Sequence, residues 1–90
     1  MREIFAGSRT EKDETGTQLR FDYYILIGEM DVGRFFCESY GVKVAQRGTD
    51  RECAVPDVTT SVARIDSLME LLMENGVTPI NLPEVLQDWL

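Results

Sequence analysis

Hydrophobic and polar residues alternate along the chain after residue 18. The odd positions of this stretch are apolar or aromatic: Leu19, Phe21, Tyr23, Ile25 and Ile27. The even positions begin with Arg20 and Asp22, so the period of two predicts a strand with one buried face. Leu26 interrupts the polar face near the end of the strand. This interruption indicates that the strand is covered on both sides there, as expected for a central strand.

Three further segments of the first half are typical of strands. Weaker alternation over residues 2–9 predicts an edge strand. Another strand is predicted over about residues 34–45, and Gly41 within it predicts a bulge, because glycine inside a strand often marks one. A short strand over residues 52–55 follows, and Pro56 either ends it or confines it to a sheet edge.

The second half of the chain has the period of a helix. Apolar residues share one helical face: Val62, Ile65, Leu68, Met69 and Leu72. Residues 59–61 offer side-chain oxygens for the N-cap, and Gly76 predicts the C-terminal stop, because glycine adopts the left-handed conformation there. A short final helix is predicted after Asn81, which has the spacing of a capping box with Glu84.

These elements predict a single α+β domain over residues 1–90. Its architecture is an antiparallel meander of three or four strands, followed by two helices packed on one face of the sheet in two layers. A chain of 90 residues has room for one hydrophobic core.

Charge and composition narrow the classes of function. Nine Lys and Arg residues against sixteen Asp and Glu residues give a formal net charge of −7, which opposes binding to nucleic acid or to an anionic membrane surface. The sequence has no histidine, the commonest general base and metal ligand, so no metal and no cofactor are expected. Since no apolar stretch has the length of a signal peptide or a membrane span, we expect a soluble cytoplasmic protein.

The two cysteines, Cys37 and Cys53, are too few for a disulfide scaffold and do not form a Cys-x-x-Cys pair. We expect them to be reduced, half-buried thiols.

Two surfaces of the predicted helices are candidates for contact with a protein partner. The first is an acidic row on the first helix, formed by Asp66, Glu70 and Glu74, which fits a basic partner or an ordinary solvated face. The second is the end of the chain, formed by Leu86, Trp89 and Leu90. Because chain ends fray unless something holds them, Trp89 is expected to dock on its own sheet or on a second subunit, as in a homodimer.

A cavity between sheet and helices is the competing candidate. Its expected lining is Tyr23, Phe36, Cys37 and Tyr40, an apolar wall with a few polar groups that suits a small-molecule ligand. The same residues would also fill an ordinary core. Since no set of catalytic residues is recognisable, the leading hypothesis is a non-enzymatic regulatory domain that acts through protein contacts or self-association, and a small-molecule binder or minor enzyme is the alternative.

Three segments carry a resemblance to a known group of proteins. They are YGVKV at residues 40–44, DVTTS at residues 57–61 and VTPINLPEVLQDWL at residues 77–90. In this order they resemble a family of small uncharacterised proteins from Gram-positive anaerobic bacteria, over about residues 23–90. The resemblance implies a cytoplasmic bacterial protein without an assigned activity, and it supplies no catalytic or binding residues.

Overall fold

The computed structural model describes residues 1–90, apart from the side chain of Val32. Its elements are β1 (Arg2–Lys12), β2 (Gln18–Val32), β3 (Phe35–Gln46), β4 (Glu52–Thr59), α1 (Val62–Glu74) and α2 (Leu82–Trp89). All neighbouring strands pair antiparallel, in the order β1-β2-β3-β4. The predicted α+β fold, a meander followed by two helices on the sheet, is confirmed. No helix in the described part of the chain is both long and apolar enough to cross a membrane.

The hydrophobic core lies between the helices and one face of the sheet. Eleven buried side chains form it: Phe21, Tyr23, Val42, Val44, Ile65, Leu68, Met69, Leu72, Val77, Leu82 and Leu86. The alternating positions of β2 and the apolar face of α1 therefore meet as the periodicity predicts. Tyr23 is fully buried, and its hydroxyl donates a hydrogen bond to the Val77 carbonyl at 2.9 Å, which satisfies the buried phenol.

Leu26 is buried on the opposite face of the sheet, with 2% of its surface exposed. Its strand β2 lies between β1 and β3, so the predicted central position is confirmed. The predicted irregularity at Gly41 is also present, because Tyr40 pairs with Thr59 whereas Val42 pairs with Val55. The extra residues belong to β4, however, which bulges across Gly41.

The helix ends follow local chemistry in part. The Ser61 hydroxyl accepts a hydrogen bond from the Arg64 N–H at 3.2 Å, and Gly76 has a φ of 57°, as predicted for the two ends of α1. The predicted capping box of α2 is wrong: the Asn81 side chain makes no capping hydrogen bond. Asn81 has helical backbone angles, and its N–H donates to the Thr78 carbonyl at 3.1 Å.

The strand ends differ from the predictions at both sides of the sheet. β1 continues to Lys12, and β4 continues beyond Pro56 to Thr59 as the edge strand that a proline tolerates. The turn between β2 and β3 falls at residues 33–34. β2 therefore continues to Val32, beyond the alternation that ends near Ile27, whereas β3 begins at Phe35, close to its predicted start at residue 34.

Candidate functional site

The hairpin of β2 and β3 extends beyond the rest of the sheet. β1 begins at Arg2, opposite Ile27, and β4 ends at Thr59, opposite Tyr40. The two middle strands continue for five more residue pairs, from Gly28–Ser39 to the pair beside the turn. We call this two-stranded ribbon, residues 28–39, the hairpin arm. It contributes to the elongated shape of the molecule, which measures 54 by 24 by 17 Å.

The hairpin arm carries large apolar side chains that the domain does not cover. Phe35 is 74% exposed and Phe36 is 75% exposed. Because successive residues of a strand point to opposite faces, one phenyl ring lies on each face of the ribbon. Met30 and Cys37 form a cross-strand pair on the face of Phe35, and both are partly exposed. A two-stranded ribbon without a covering layer is marginally stable in water, so these apolar faces favour a further contact.

Charged residues surround the aromatic pair. The hairpin arm contains Glu29, Asp31 and Glu38 against the single cation Arg34, a net charge of 1 − 3 = −2. Glu29 and Glu38 lie directly opposite each other, an arrangement of like charges that weakens the ribbon. Glu38 also pairs with Arg2 at 3.4 Å, but both side chains are more than half exposed, so this ion pair adds little.

The four residues predicted to line a pocket do not meet. Tyr23 lies within the filled core, where burial raises the pKa of its hydroxyl. Phe36 and Cys37 lie on opposite faces of the hairpin arm, and Tyr40 lies at its base, partly buried against the core. The pocket prediction placed all four residues between the sheet and the helices. The long hairpin instead carries Phe36 away from the helices.

A surface hollow of about 420 Å³ lies at the base of the hairpin arm. It is lined by Met1, Arg2, Ile27, Gly28, Glu29 and Glu38. None of the four predicted pocket residues contributes to it. Its lining mixes the charged residues Arg2, Glu29 and Glu38 with Met1 and Ile27, whereas sites for small-molecule ligands are lined predominantly by apolar residues.

The residues predicted at the chain end are divided by the fold. Leu86 is a core residue with 3% exposure, and Trp89 packs beside the core with the Arg64 guanidinium 4.4 Å from the centre of its ring. Trp89 therefore contacts its own domain, whereas Leu90 remains 75% exposed. A hollow of about 320 Å³ between the helices is lined by Leu71, Val85, Asp88 and Trp89.

The acidic row of Asp66, Glu70 and Glu74 is exposed along α1. None of these three carboxylates forms an ion pair within the described part of the molecule, which fits both readings of the row. The acidic row lies on α1 and the hairpin arm lies beyond the sheet, so the two do not form one continuous surface.

Several polar groups form structural pairs on the face of the sheet opposite the helices. The Lys43 ammonium donates to a Glu3 carboxylate oxygen at 2.9 Å, and this hydrogen bond raises the pKa of Lys43 despite partial burial. The Ser39 hydroxyl, almost fully buried, donates to the Asp57 carboxylate and ties the bulge of β4 to the base of the hairpin arm. Asp57 has a φ of 55°, which its place in the bulge imposes.

Asp22 is the most buried carboxylate among these pairs. It accepts hydrogen bonds from Ser8 Oγ and from Arg47 Nη2, both at 2.8 Å. Burial raises the pKa of the Asp22 carboxyl, but the hydrogen bonds from Arg47 and Ser8, with the nearby positive charges, outweigh it and leave the pKa below its usual value. No group of three or more His, Cys, Asp or Glu side chains within the described residues is placed to hold a metal ion.

The lowered pKa of Asp22 predicts a loss of stability in acid. A carboxyl whose pKa is lower in the folded state stabilises the fold above its unfolded pKa of about 4, and this contribution disappears as pH falls through the folded pKa. Asp22→Asn is expected to lower the free energy of unfolding by about 2 kcal/mol at pH 7 and to reduce the difference between pH 7 and pH 3.

Urea unfolding at a series of pH values checks this expectation. Asp13→Asn is the control, because the Asp13 carboxylate, whose pKa is lowered by the Thr15 hydroxyl, is fully exposed in a turn. Equal losses in the two variants at pH 7 would contradict the role assigned to the Asp22–Arg47 pair.

Together, the fold and its exposed ribbon define a small α+β domain with an apolar arm. The chain belongs to DUF6514, a family of unknown function, whose sequence profile matches residues 2–90. The three sequence segments predicted membership of a family of uncharacterised proteins, and this part of the prediction is confirmed. Neither the search of curated proteins nor the search of solved structures finds a match.

Proposed function

We propose that this protein is a non-enzymatic regulatory domain that acts through protein–protein contacts, with the hairpin arm as its contact element. The observation that carries the proposal is the exposure of Phe35 and Phe36, three-quarters each, on a ribbon that leaves the four-stranded sheet. Aromatic side chains of this kind are enriched at the centres of protein interfaces.

Burial energetics support a protein partner over a solvated arm. Removing a phenyl side chain from water contributes about 2 kcal/mol, so covering Phe35 and Phe36 offers roughly 4 kcal/mol toward binding. The ribbon also has free strand edges, to which an extended segment can add by backbone hydrogen bonds. A protein surface supplies both an apolar cover and a strand, whereas a small ligand supplies only the first.

The cellular setting is part of the same proposal. The resemblance of residues 40–44, 57–61 and 77–90 to proteins of Gram-positive anaerobic bacteria supports a bacterial source. The unpaired state of Cys37 and Cys53 supports a cytoplasmic location, because disulfides are rare in that compartment. Such a domain would regulate its partner by occupying a surface rather than by a reaction.

Site-specific photo-crosslinking in cells tests the proposal. A photoreactive phenylalanine derivative replaces Phe35 in the full chain, and Leu90 is the matched control position, since the two side chains are 74% and 75% exposed. We expect protein adducts from position 35 and none from position 90, with both variants folded by circular dichroism. Mass spectrometry then identifies the adducts, which include any second copy of the chain.

The control position also tests the helical surface as an alternative. Adducts from position 90 alone would move the contact to the chain end, and an absence of adducts from both positions would overturn the proposed function.

A further inference from the structure

The hairpin arm has two free edges, one along β2 and one along β3, and they differ in chemistry. The direction of the backbone hydrogen bonds in β3 shows which of its N–H and C=O groups are unpaired. The Arg47 N–H donates to the Arg20 carbonyl beside β2 at 2.8 Å, whereas the Gln46 N–H donates to the Arg51 carbonyl on the side of β4 at 2.9 Å. The register between β2 and β3 continues without a break to Phe35. Even-numbered residues of β3 therefore direct their backbone groups away from β2.

Phe36 and Glu38 are the even-numbered residues of β3 within the hairpin arm. Their N–H and C=O groups face the position beside β3 that β4 leaves free beyond Thr59. An unpaired strand edge of this kind can accept another strand. The edge is flanked by the exposed Phe36 side chain and by two opposite charges, those of Arg34 and Glu38.

The other edge of the hairpin arm repels a second copy. By the same alternation, Glu29 and Asp31 direct their backbone groups outward from β2. If two copies paired antiparallel about Met30, Glu29 of one would face Asp31 of the other. Like charges directly opposite each other destabilise a strand pair.

We infer that two copies of this chain pair antiparallel through the free edge of β3, with Phe36 opposite Phe36 of the second copy. This inference rests on the proposed function of the hairpin arm and names its partner. In this register, Arg34 of each copy lies opposite Glu38 of the other, and Phe35 lies opposite Cys37 of the other. The two charged pairs and the central aromatic pair thus form from one self-complementary segment.

Neighbouring registers lack this complementarity. A shift that centres the pair on Cys37 places Phe36 against Glu38 of the second copy. A shift that centres it on Phe35 places Phe36 against Arg34 of the second copy, so Arg34 no longer lies opposite Glu38. The ion pair between Arg2 and Glu38 within one copy is long and exposed, so it does not prevent Glu38 from pairing with Arg34 of the second copy.

Oligomeric state measured by light scattering and sedimentation tests this inference on the full chain. The wild-type protein is expected to dimerise with increasing concentration. Arg34→Glu and Glu38→Arg are each expected to weaken the dimer about tenfold or more, because each change places like charges opposite each other twice. The double variant Arg34→Glu/Glu38→Arg restores the opposite charges and is expected to recover most of the affinity. Arg51→Glu, an exposed arginine in the turn before β4, is the control that leaves the dimer unchanged.

Disulfide trapping tests the register separately. In an antiparallel pair, residues that exchange hydrogen bonds have Cα atoms about 5.5 Å apart, a distance that a disulfide spans. Phe36→Cys in a Cys37→Ser/Cys53→Ser background is therefore expected to form a covalent dimer on mild oxidation. Wild-type Cys37 in a Cys53→Ser background is expected to form little, since Cys37 lies diagonal to its counterpart.

The outcomes separate this inference from the proposed function. A wild-type chain that stays monomeric at every concentration would overturn the dimer, while crosslinks from position 35 to a different protein would still support the proposed function. A failed charge exchange, or trapping through Cys37 instead of residue 36, would overturn the register. Circular dichroism confirms that each variant is folded before its oligomeric state is compared.

Discussion

Gly41→Ala is expected to lower the free energy of unfolding by about 3 kcal/mol. A Cβ atom at this position would lie 2.2 Å from the Val55 carbonyl oxygen and 2.6 Å from the Pro56 Cα atom. Both are backbone atoms of the bulge in β4, which cannot retreat without breaking its pairing with β3. Urea unfolding followed by the fluorescence of Trp89, the only tryptophan of the sequence, measures the loss.

Gly28→Ala is the matched control for this substitution. Gly28 lies in the neighbouring strand, and an added Cβ would come no closer than 3.7 Å to Ser39 Oγ and 3.8 Å to Asp57 Oδ1. Its expected effect is within about 0.5 kcal/mol. If Gly41→Ala unfolded at the same urea concentration as Gly28→Ala, the close approach of the β4 bulge to Gly41 would be wrong.

Leu72→Ala is expected to cost about 2 to 5 kcal/mol, because it opens a cavity in the centre of the core. Leu72 is fully buried on the sheet-facing side of α1. A domain of this size has a free energy of unfolding of about 5 to 13 kcal/mol, so the variant would lose a large part of its stability. Thermal unfolding by circular dichroism and urea unfolding give the loss independently.

Leu71→Ala separates the cavity from any effect on the helix itself. Leu71 is the adjacent residue of α1, is 37% exposed, and has the same helix propensity as Leu72. Its replacement is expected to cost less than about 1 kcal/mol. A loss for Leu71→Ala as large as that for Leu72→Ala would mean that α1 is rotated relative to the sheet.

Local patterns were sufficient for the elements that local physics controls. The alternation around Tyr23 predicts β2 because the buried face of a strand repeats every two residues. Ser61 and Gly76 predict the ends of α1 because their conformations satisfy helix termini. Asn81 misleads, since it adopts helical backbone angles rather than the extended angles typical of an N-cap, and its side chain makes no capping hydrogen bond.

Long-range pairing was beyond the reach of these patterns. The bulge at Gly41 is predicted from the glycine, but its extra residues lie in β4, on a strand paired only in three dimensions. The hairpin arm was missed for the same reason. Phe35 and Phe36 have the composition of a buried strand. Their exposure depends on where the neighbouring strands stop pairing: β1 pairs with β2 no further than Ile27, and β4 pairs with β3 no further than Tyr40. The sequence pattern also did not show that Phe36 lies far from Tyr23, because this separation follows from the length of β3.

The unequal edges of the ribbon also set the size that an assembly can reach. Within the hairpin arm, the edge of β3 accepts another backbone, while the charges of Glu29 and Asp31 oppose pairing at the edge of β2. Growth by edge addition needs an acceptor at both ends of every unit, as in amyloid-like stacking. A hairpin arm with one acceptor edge closes after a single addition, so its exposed phenylalanines do not extend the pairing into a fibre through the arm.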